Sequence, residues 1–417
     1  MMRFLKIALF LVVVFLFLQL FGCMIYNNDR VYYYEELQDA LLDVNNQCVG
    51  RRKQIIYNDP SVAVTLEEGV ATICLLKNII MDDVVLLKNA NLNLNGFSLT
   101  NNKTVLIKTY GVCYIYNGYL NRLCENNQVF DGIVVKQSSI CHIENVVFES
   151  KSSNSTNIAI HVYGEMFLRN STIKSASFAS DENTFTSSVY GNIFSNICIE
   201  ESDITTESDF GRVEGVYIGD IGQLINSRIV SYANYKSNES RFTSYSVGCK
   251  SEGNLSIINC YIYGVHSGIN TISSMSIDGG MYCGYGHGGI YCAGIGQTYK
   301  IKNAIIAQSE MPAEYEDLGV GCTQGGLYIG GGKNRNNIEV FVDGCTIIAT
   351  KNPIVLRGSS GEQRNSLYIS NTNLDVQHIR VDNNTHRVYL GVGCNFEQQH
   401  VDIQDTVVYT NVDYANP

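Results

Sequence analysis

Tryptophan is missing from the 417 residues and proline occurs only 4 times. Rigid proline-rich linkers are therefore excluded, and backbone hydrogen-bond ladders can run without interruption. Charged residues make up 17% of the chain and form no long block of one sign, which excludes a charged tail. Basic residues are few, 29 against 40 acidic, for a formal net charge of −11. The one compact basic group beyond the N-terminus is Arg51, Arg52 and Lys53. So little positive charge cannot neutralise a phosphate backbone, and nucleic acid is not expected as a partner. Although there are 14 cysteines, the paired Cys-x-x-Cys spacing of zinc and iron–sulfur sites does not occur, so no metal or cofactor is expected.

What is abundant is asparagine, 42 residues, with 37 glycines and 27 tyrosines, in a chain that is 45% hydrophobic. Such a composition belongs to a folded protein with many turns and few breaks. Collagen is excluded, because glycine falls far below one residue in three.

At the N-terminus, Arg3 and Lys6 precede an apolar stretch from Ile7 to Tyr26 whose one clearly polar side chain is Gln19. As a helix it would be about 30 Å long, enough to cross a bilayer. The flanking charges keep the short end cytoplasmic and export the rest. Residues 1–30 read as a signal anchor, a cleaved signal peptide, or a lipoprotein signal in which Leu20, Phe21, Gly22 and Cys23 make a lipobox with Cys23 as the lipidated residue. Each route places the body, residues 31–412, outside the cytoplasm, with 413–417 as a short tail. The oxidising side permits disulfides, yet Cys113, Cys141, Cys198 and Cys260 fall in or beside expected strands, where small apolar core groups compete with a disulfide framework.

After the leader, Leu37, Ala40, Leu41 and Val44 give an apolar stripe that predicts a short helix over Tyr33–Val44, suited to cap the first strands. Short β-rich runs then take over: Val62 to Leu66, Thr72 to Leu76, Val84 to Leu87 and Ala90 to Leu94. From there one phrase recurs: aliphatic, any, Asn or Asp or Gly, any, any, aliphatic. It occurs at Leu94-Gly96-Leu99, Ile115-Asn117-Leu120, Ile143-Asn145-Phe148, Leu168-Asn170-Ile173, Leu224-Asn226-Ile229 and Ile257-Asn259-Ile262. It continues at Ile301-Asn303-Ile306, Ile369-Asn371-Leu374 and Ile403-Asp405-Val408, with weaker copies at Ile199-Glu201-Ile204, Ile277-Gly279-Tyr282 and around Asp343. The central residue suits a tight corner, and the flanking aliphatics point inward. Asparagines at equivalent corners can stack into an amide ladder.

A second phrase alternates with the first, as in Gly132-Ile133-Val134-Val135, Gly215-Val216-Tyr217-Ile218, Gly289-Ile290-Tyr291 and Gly326-Leu327-Tyr328-Ile329. Together they predict three short strands per rung, stacked in parallel about 4.8 Å apart into roughly 13 rungs and a rod of about 60 Å. Residues 32 to 412 thereby resemble the pectin-lyase-like right-handed parallel β-helix superfamily. The likeness is strongest where the helix containing Glu36 to Leu42 leads to ATICLLKNIIMDDVVLLKNANLNLNGFSLT, Ala71 to Thr100. It implies an all-β, single-stranded right-handed solenoid and a carbohydrate partner, without choosing a reaction.

Few motifs in the sequence carry chemistry. Gly286-His287-Gly288 looks like a polygalacturonase phrase, but the accompanying acidic pair and the later Arg-x-Lys are not found, and Asn371-Thr372-Asn373 comes after His287. Hydrolysis needs two placed carboxyl groups, so His287 reads as part of a glycine-rich turn and no catalytic residue is assigned. Asp203, Glu207, Asp209, Glu214 and Asp220, with Arg212 and Arg228, form the densest acidic stretch, read as surface charge ahead of a sugar or ion site. Gly-flanked tyrosines in YSVG, GVYIG, GMYCGYGHGGIYC and GGLYIGG are core filling or an outward platform for sugar. Sequons at Asn102, Asn154, Asn238, Asn254 and Asn383 are glycosylation candidates, and Asn170 is a further sequon at a corner. The expectation is a membrane-tethered extracytoplasmic or virion-surface structural and binding protein, with a glycan or surface protein as partner. Its alternatives are a polysaccharide lyase or hydrolase with a divergent site and, on the resemblance alone, a trimeric spike.

Overall fold

The computed structural model describes residues 31–409 apart from 51–58, 103–104, 125–129, 154–155, 179–183, 210, 234–245, 286–287, 309–324, 331–336, 350–352, 357–365, 377–387, 391–399 and 405–406. It is all-β with one short helix, and its strands lie in long, stacked, mostly parallel sheets, the arrangement of a β-solenoid. Strands succeed one another in threes. A first arm such as Glu165–Arg169 turns a corner into a second arm, Thr172–Ser177, and a third strand comes next, Phe185–Gly191. Each pairs in parallel with the strand three places on: Asn196–Glu200, Asp203–Ser208 and Arg212–Ile218 respectively. The arms share a 26-stranded sheet, and the third strands form a 12-stranded sheet of their own.

The corner between the arms arises from the recurring phrase. Its central residue takes the left-handed conformation, with φ of 61° at Asn117, 55° at Asn145, 45° at Asn170, 47° at Asn226, 49° at Asn259, 52° at Asn303 and 48° at Asn371. Glu201 and Gly279 do the same in the weaker copies, and Gly344 takes the corner beside Asp343. Asp405 lies outside the described residues. The flanking apolar residues, among them Ile115, Leu120, Ile143, Phe148, Ile257 and Ile262, are buried and belong to one continuous core. Amides stack where asparagines are consecutive: Asn145 Nδ2 donates to Asn117 Oδ1 at 3.3 Å, and Asn170 Nδ2 to Asn145 Oδ1 at 2.6 Å. Elsewhere an aspartate completes the rung, Asn303 to Asp278 and Asn371 to Asp343, each at 2.8 Å.

A second ladder, not anticipated from the sequence, runs one residue beyond the corner. Ser171, Ser202 and Ser227 are buried there, and each hydroxyl donates to the carbonyl two residues back at 2.7 to 2.8 Å. Each also accepts a backbone N–H from the preceding rung: Val146 to Ser171, Ser171 to Ser202 and Ser202 to Ser227. Cys260 and Cys345 occupy the same place with thiols bonded to Ile258 O and Asp343 O. Cys113, Cys141, Cys198 and Cys260 are free thiols. Cys113, Cys141 and Cys260 fill the core, whereas Cys198 is half-buried with its thiol toward Gln223.

The N-terminal cap differs from expectation in two ways. The helix covers Leu37–Asn45, and Tyr32–Tyr34 is a strand antiparallel to Val62–Glu67. Glu36 stays extended at φ −120° and ψ 144°, and the apolar stripe begins only at Leu37, so tyrosine's preference for strand prevails before it. Val62–Glu67 and Val70–Leu75 form an antiparallel hairpin, turning through Glu68 and Gly69 at positive φ, and Val70–Leu75 stacks in parallel on Ala90–Asn93. The apolar leader and Cys23 lie outside the described residues. Among those described, no helix is long and apolar enough to cross a membrane.

Candidate functional site

The third strands carry the site because their glycines fix how they lie. Gly215, Gly248, Gly289 and Gly326 stand where the strand closes on the second arm. A Cβ there would come within 2.5 to 2.8 Å of the Cγ2 of Ile229, Ile262, Ile306 and Ile347 respectively. The next residue, Val216 or Ile290, is buried inward, and the one after it faces out. Parallel register therefore lines up one side chain per coil on the face away from the core: His161, Tyr190, Tyr217, Lys250, Asn270, Tyr291 and Tyr328, of which Tyr190, Lys250 and Tyr291 are half-buried and the other four buried. Strand spacing puts successive members about 4.8 Å apart.

Contacts knit the first half of this row together. Tyr190 and Tyr217 stack with ring centroids 4.5 Å apart, and Tyr163 stacks on His161 at 4.2 Å. His161 meets the edge of Tyr190 at 5.2 Å, and its Nδ1 lies 3.0 Å from Asp131 Oδ2. Lys250 Nζ stands 5.1 Å from the Tyr217 ring centre, and Lys136 lies over Tyr163 at 5.8 Å. Arg212 lies over Phe185 at 5.6 Å and grips Glu214 through Nε at 2.7 Å and through Nη2. Lys250 is shared between Glu214 at 3.7 Å and Glu252 at 3.0 Å.

Two carboxyls on this face are pushed in opposite directions. Glu214 is wholly buried, and desolvation raises its carboxyl, with Arg212 and Lys250 pulling it back. Burial also opposes ionisation of Glu252, but the Lys250 ammonium and then the Tyr217 hydroxyl hold it below the usual carboxylate value. The Tyr217 hydroxyl is raised by burial and by its hydrogen bond to Glu252. Burial likewise raises Tyr190 and Tyr163, with the negative charges of Glu214 and Asp131 adding to it. Two buried atoms, Glu214 Oε2 and His161 Nε2, make no hydrogen bond.

Of the acidic stretch, only Glu214 joins this face. Asp203 pairs with Arg228 at 3.1 Å on the second arm, both about half exposed, Glu207 is exposed, and Asp220 sits in the turn after Ile218. Among the Gly-flanked tyrosines, Tyr217, Tyr291 and Tyr328 lie on the row. Tyr282 is fully buried, its hydroxyl donating to Gly279 O at 2.8 Å, so it belongs to packing. Tyr245, Gly286 and His287 lie outside the described residues. Asn371 and Thr372 serve the corner ladders. Asn102 and Asn254 are exposed, while Asn154, Asn238 and Asn383 are outside the described residues. Asn170 is exposed too, but its amide is committed to Asn145.

Sequence reasoning missed Asp131, His161, Tyr163, Tyr190, Lys250 and Glu252. The signal was present: His161 in Ala159-Ile160-His161-Val162 and Tyr190 in Ser188-Val189-Tyr190-Gly191 hold the place of Tyr217, with alanine or serine replacing the leading glycine. Among the described residues no group of His, Cys, Asp and Glu could hold a metal ion. Compared with protein-family models, curated proteins and solved structures, the chain matches none.

Proposed function

We propose that this chain is a noncatalytic binding rod, a right-handed β-helix of the pectin-lyase-like kind with about 13 rungs. Its N-terminal apolar stretch tethers it, and its body stands outside the membrane on a cell or virion. The outward row of the third sheet holds a glycan. The observation that carries this reading is the register of His161, Tyr190, Tyr217, Lys250 and Asn270 on consecutive coils. Tyr190 and Lys250 are half-buried on this row, Tyr217 is buried between them, and the charges around them alternate between Arg212, Glu214, Lys250 and Glu252. Such a surface suits a hydroxyl-rich chain lying along the axis better than a compact apolar ligand.

A second reading, a polysaccharide lyase or hydrolase, is favoured by one observation: Asp131 orients the His161 imidazole through Nδ1, and the buried Nε2 has no hydrogen-bond partner, so it would act as a base on a substrate that reaches it. One experiment addresses both. The full-length chain is titrated with a panel of neutral and acidic polysaccharides while product release is monitored. Saturable binding without product is expected, with Tyr190→Ala and Tyr217→Ala together weakening it about tenfold, or about 1.4 kcal/mol. Binding that ignores both tyrosines would remove the site from this face. Product formation lost in His161→Asn would replace the binding reading by the enzymatic one.

A further inference from the structure

The three strand columns end differently at the N-terminal end of the solenoid. Over the first arms the hairpin Val62–Glu67 and Val70–Leu75 lies on Ala90–Asn93, and Tyr32–Tyr34 adds a further strand. The third column begins at Val85–Lys88, and the helix covers it, with Asn45 Nδ2 donating to Leu86 O at 2.9 Å. The second-arm column begins at Ile79–Met81. This strand pairs with Ser98–Asn101 on one side, and among the described residues no strand lies on its other side. An uncovered edge presents a row of free backbone donors and acceptors to any extended chain.

Next to this edge is a cavity of about 400 Å³, bounded by Glu35, Glu36 and Leu37 at the helix start and by Ile80, Met81 and Asp83. Among the described residues its wall carries three carboxylates and no lysine or arginine. The neighbouring Lys77 is engaged by Asp59 at 2.8 Å. At the helix start, Glu36 makes no side-chain capping bond. Ile80 is 75% exposed.

We propose that this edge is a docking site for one extended, basic peptide segment of a partner protein, added as a strand beside Ile79–Met81. The peptide backbone would satisfy the edge, its lysines or arginines would meet Glu35, Glu36 and Asp83, and an apolar side chain would cover Ile80. The partner strand would close the second-arm column as the hairpin closes the first. This site is on a different sheet from the glycan row and stands or falls apart from it.

Fluorescence anisotropy with the full-length chain tests it, using a short peptide of alternating lysine and valine and a counterpart in which glutamate replaces lysine. Saturable binding of the lysine peptide alone is expected, with slowed amide exchange at Ile79–Met81. The double reversal Glu36→Lys with Asp83→Lys should weaken it about tenfold or more. Ile80→Pro should weaken it as well, while circular dichroism stays that of the parent. Equal binding of both peptides, or binding indifferent to the charge reversal, overturns the proposal. So does self-association of the chain that Ile80→Pro abolishes, since the edge would then belong to a second copy.

Discussion

Asparagine tolerates the left-handed region better than other residues with a side chain, because its short amide bonds to nearby backbone. At Asn145 that preference meets a second use of the same amide. Its φ is 55°, its Nδ2 donates to Asn117, and its Oδ1 accepts from Asn170. Asn145→Ala therefore loses the conformational tolerance, worth about 1–2 kcal/mol, and two exposed hydrogen bonds of about 0.5–1 kcal/mol each. Asn145→Gly loses the bonds but keeps the backbone freedom. Urea midpoints are expected to fall in the order parent, Gly, Ala, with about 2–4 kcal/mol separating parent from Ala. A glycine variant less stable than the alanine one would show that φ is not what selects asparagine at the corner.

On the third sheet the consequences are electrostatic, and they give a pH dependence whose sign can be worked out. The Glu214 carboxyl is raised by burial, so between its ordinary value and its raised one the folded chain keeps a proton that the unfolded chain has released. The stability contributed by Glu214 is thus present on the acid side and lost as pH rises through that window. Glu252 works the other way: it is lowered, so its contribution exists above the ordinary carboxylate value and fades as pH falls through the folded one. Glu214→Gln removes the first effect and leaves the second. The stability of the parent relative to Glu214→Gln should decline as pH is raised above the ordinary carboxylate value, read from chemical denaturation at each pH. A difference that stays flat would mean that Arg212 and Lys250 fully offset the burial of Glu214. This face also shows why some elements were legible from sequence and others were not. Corners demand a residue type, because only asparagine, aspartate and glycine meet the left-handed requirement cheaply, so Asn117, Asn226 and Asn303 could be read one by one. Glycines such as Gly215 and Gly289 were legible as a phrase, though their cause, close approach to Ile229 and Ile306, needed the fold. An outward position on a third strand makes no comparable demand. His161, Tyr190, Tyr217 and Lys250 share a row without sharing a chemistry, and only the register brings them together.

Across the whole molecule, the core is a single continuous cluster from Tyr34 to Leu374, yet its connections are local, since each strand pairs with those one coil above and below. A globular core spreads a lesion in all directions, whereas a stacked one passes it along a line. Ile277 tests which behaviour holds. It is buried at the inner face of Met275–Asp278, between Ile257 of the coil before and Ile301 of the coil after. Placing an unpaired carboxylate there, Ile277→Asp, should cost about 3–5 kcal/mol. If coupling is between neighbours, amide protection will be lost in Asn254–Ile258, Met275–Asp278 and Thr298–Lys302, while Ile107–Tyr110 and Phe130–Val135 keep the parent's exchange rates. The amide and hydroxyl ladders argue for that outcome near the N-terminal coils. There Asn117, Asn145 and Asn170 form one unbroken stack, and Val146, Ser171 and Ser202 are chained to Ser227. At the corner of Ile277 itself Gly279 has no side-chain amide, so the asparagine-to-asparagine stack is interrupted there and Asp278 accepts from Asn303 in its place. Uniform loss of protection from end to end would instead show that the coils fold as one cooperative unit, and that the breaks at Glu201 and Gly279 do not divide the rod.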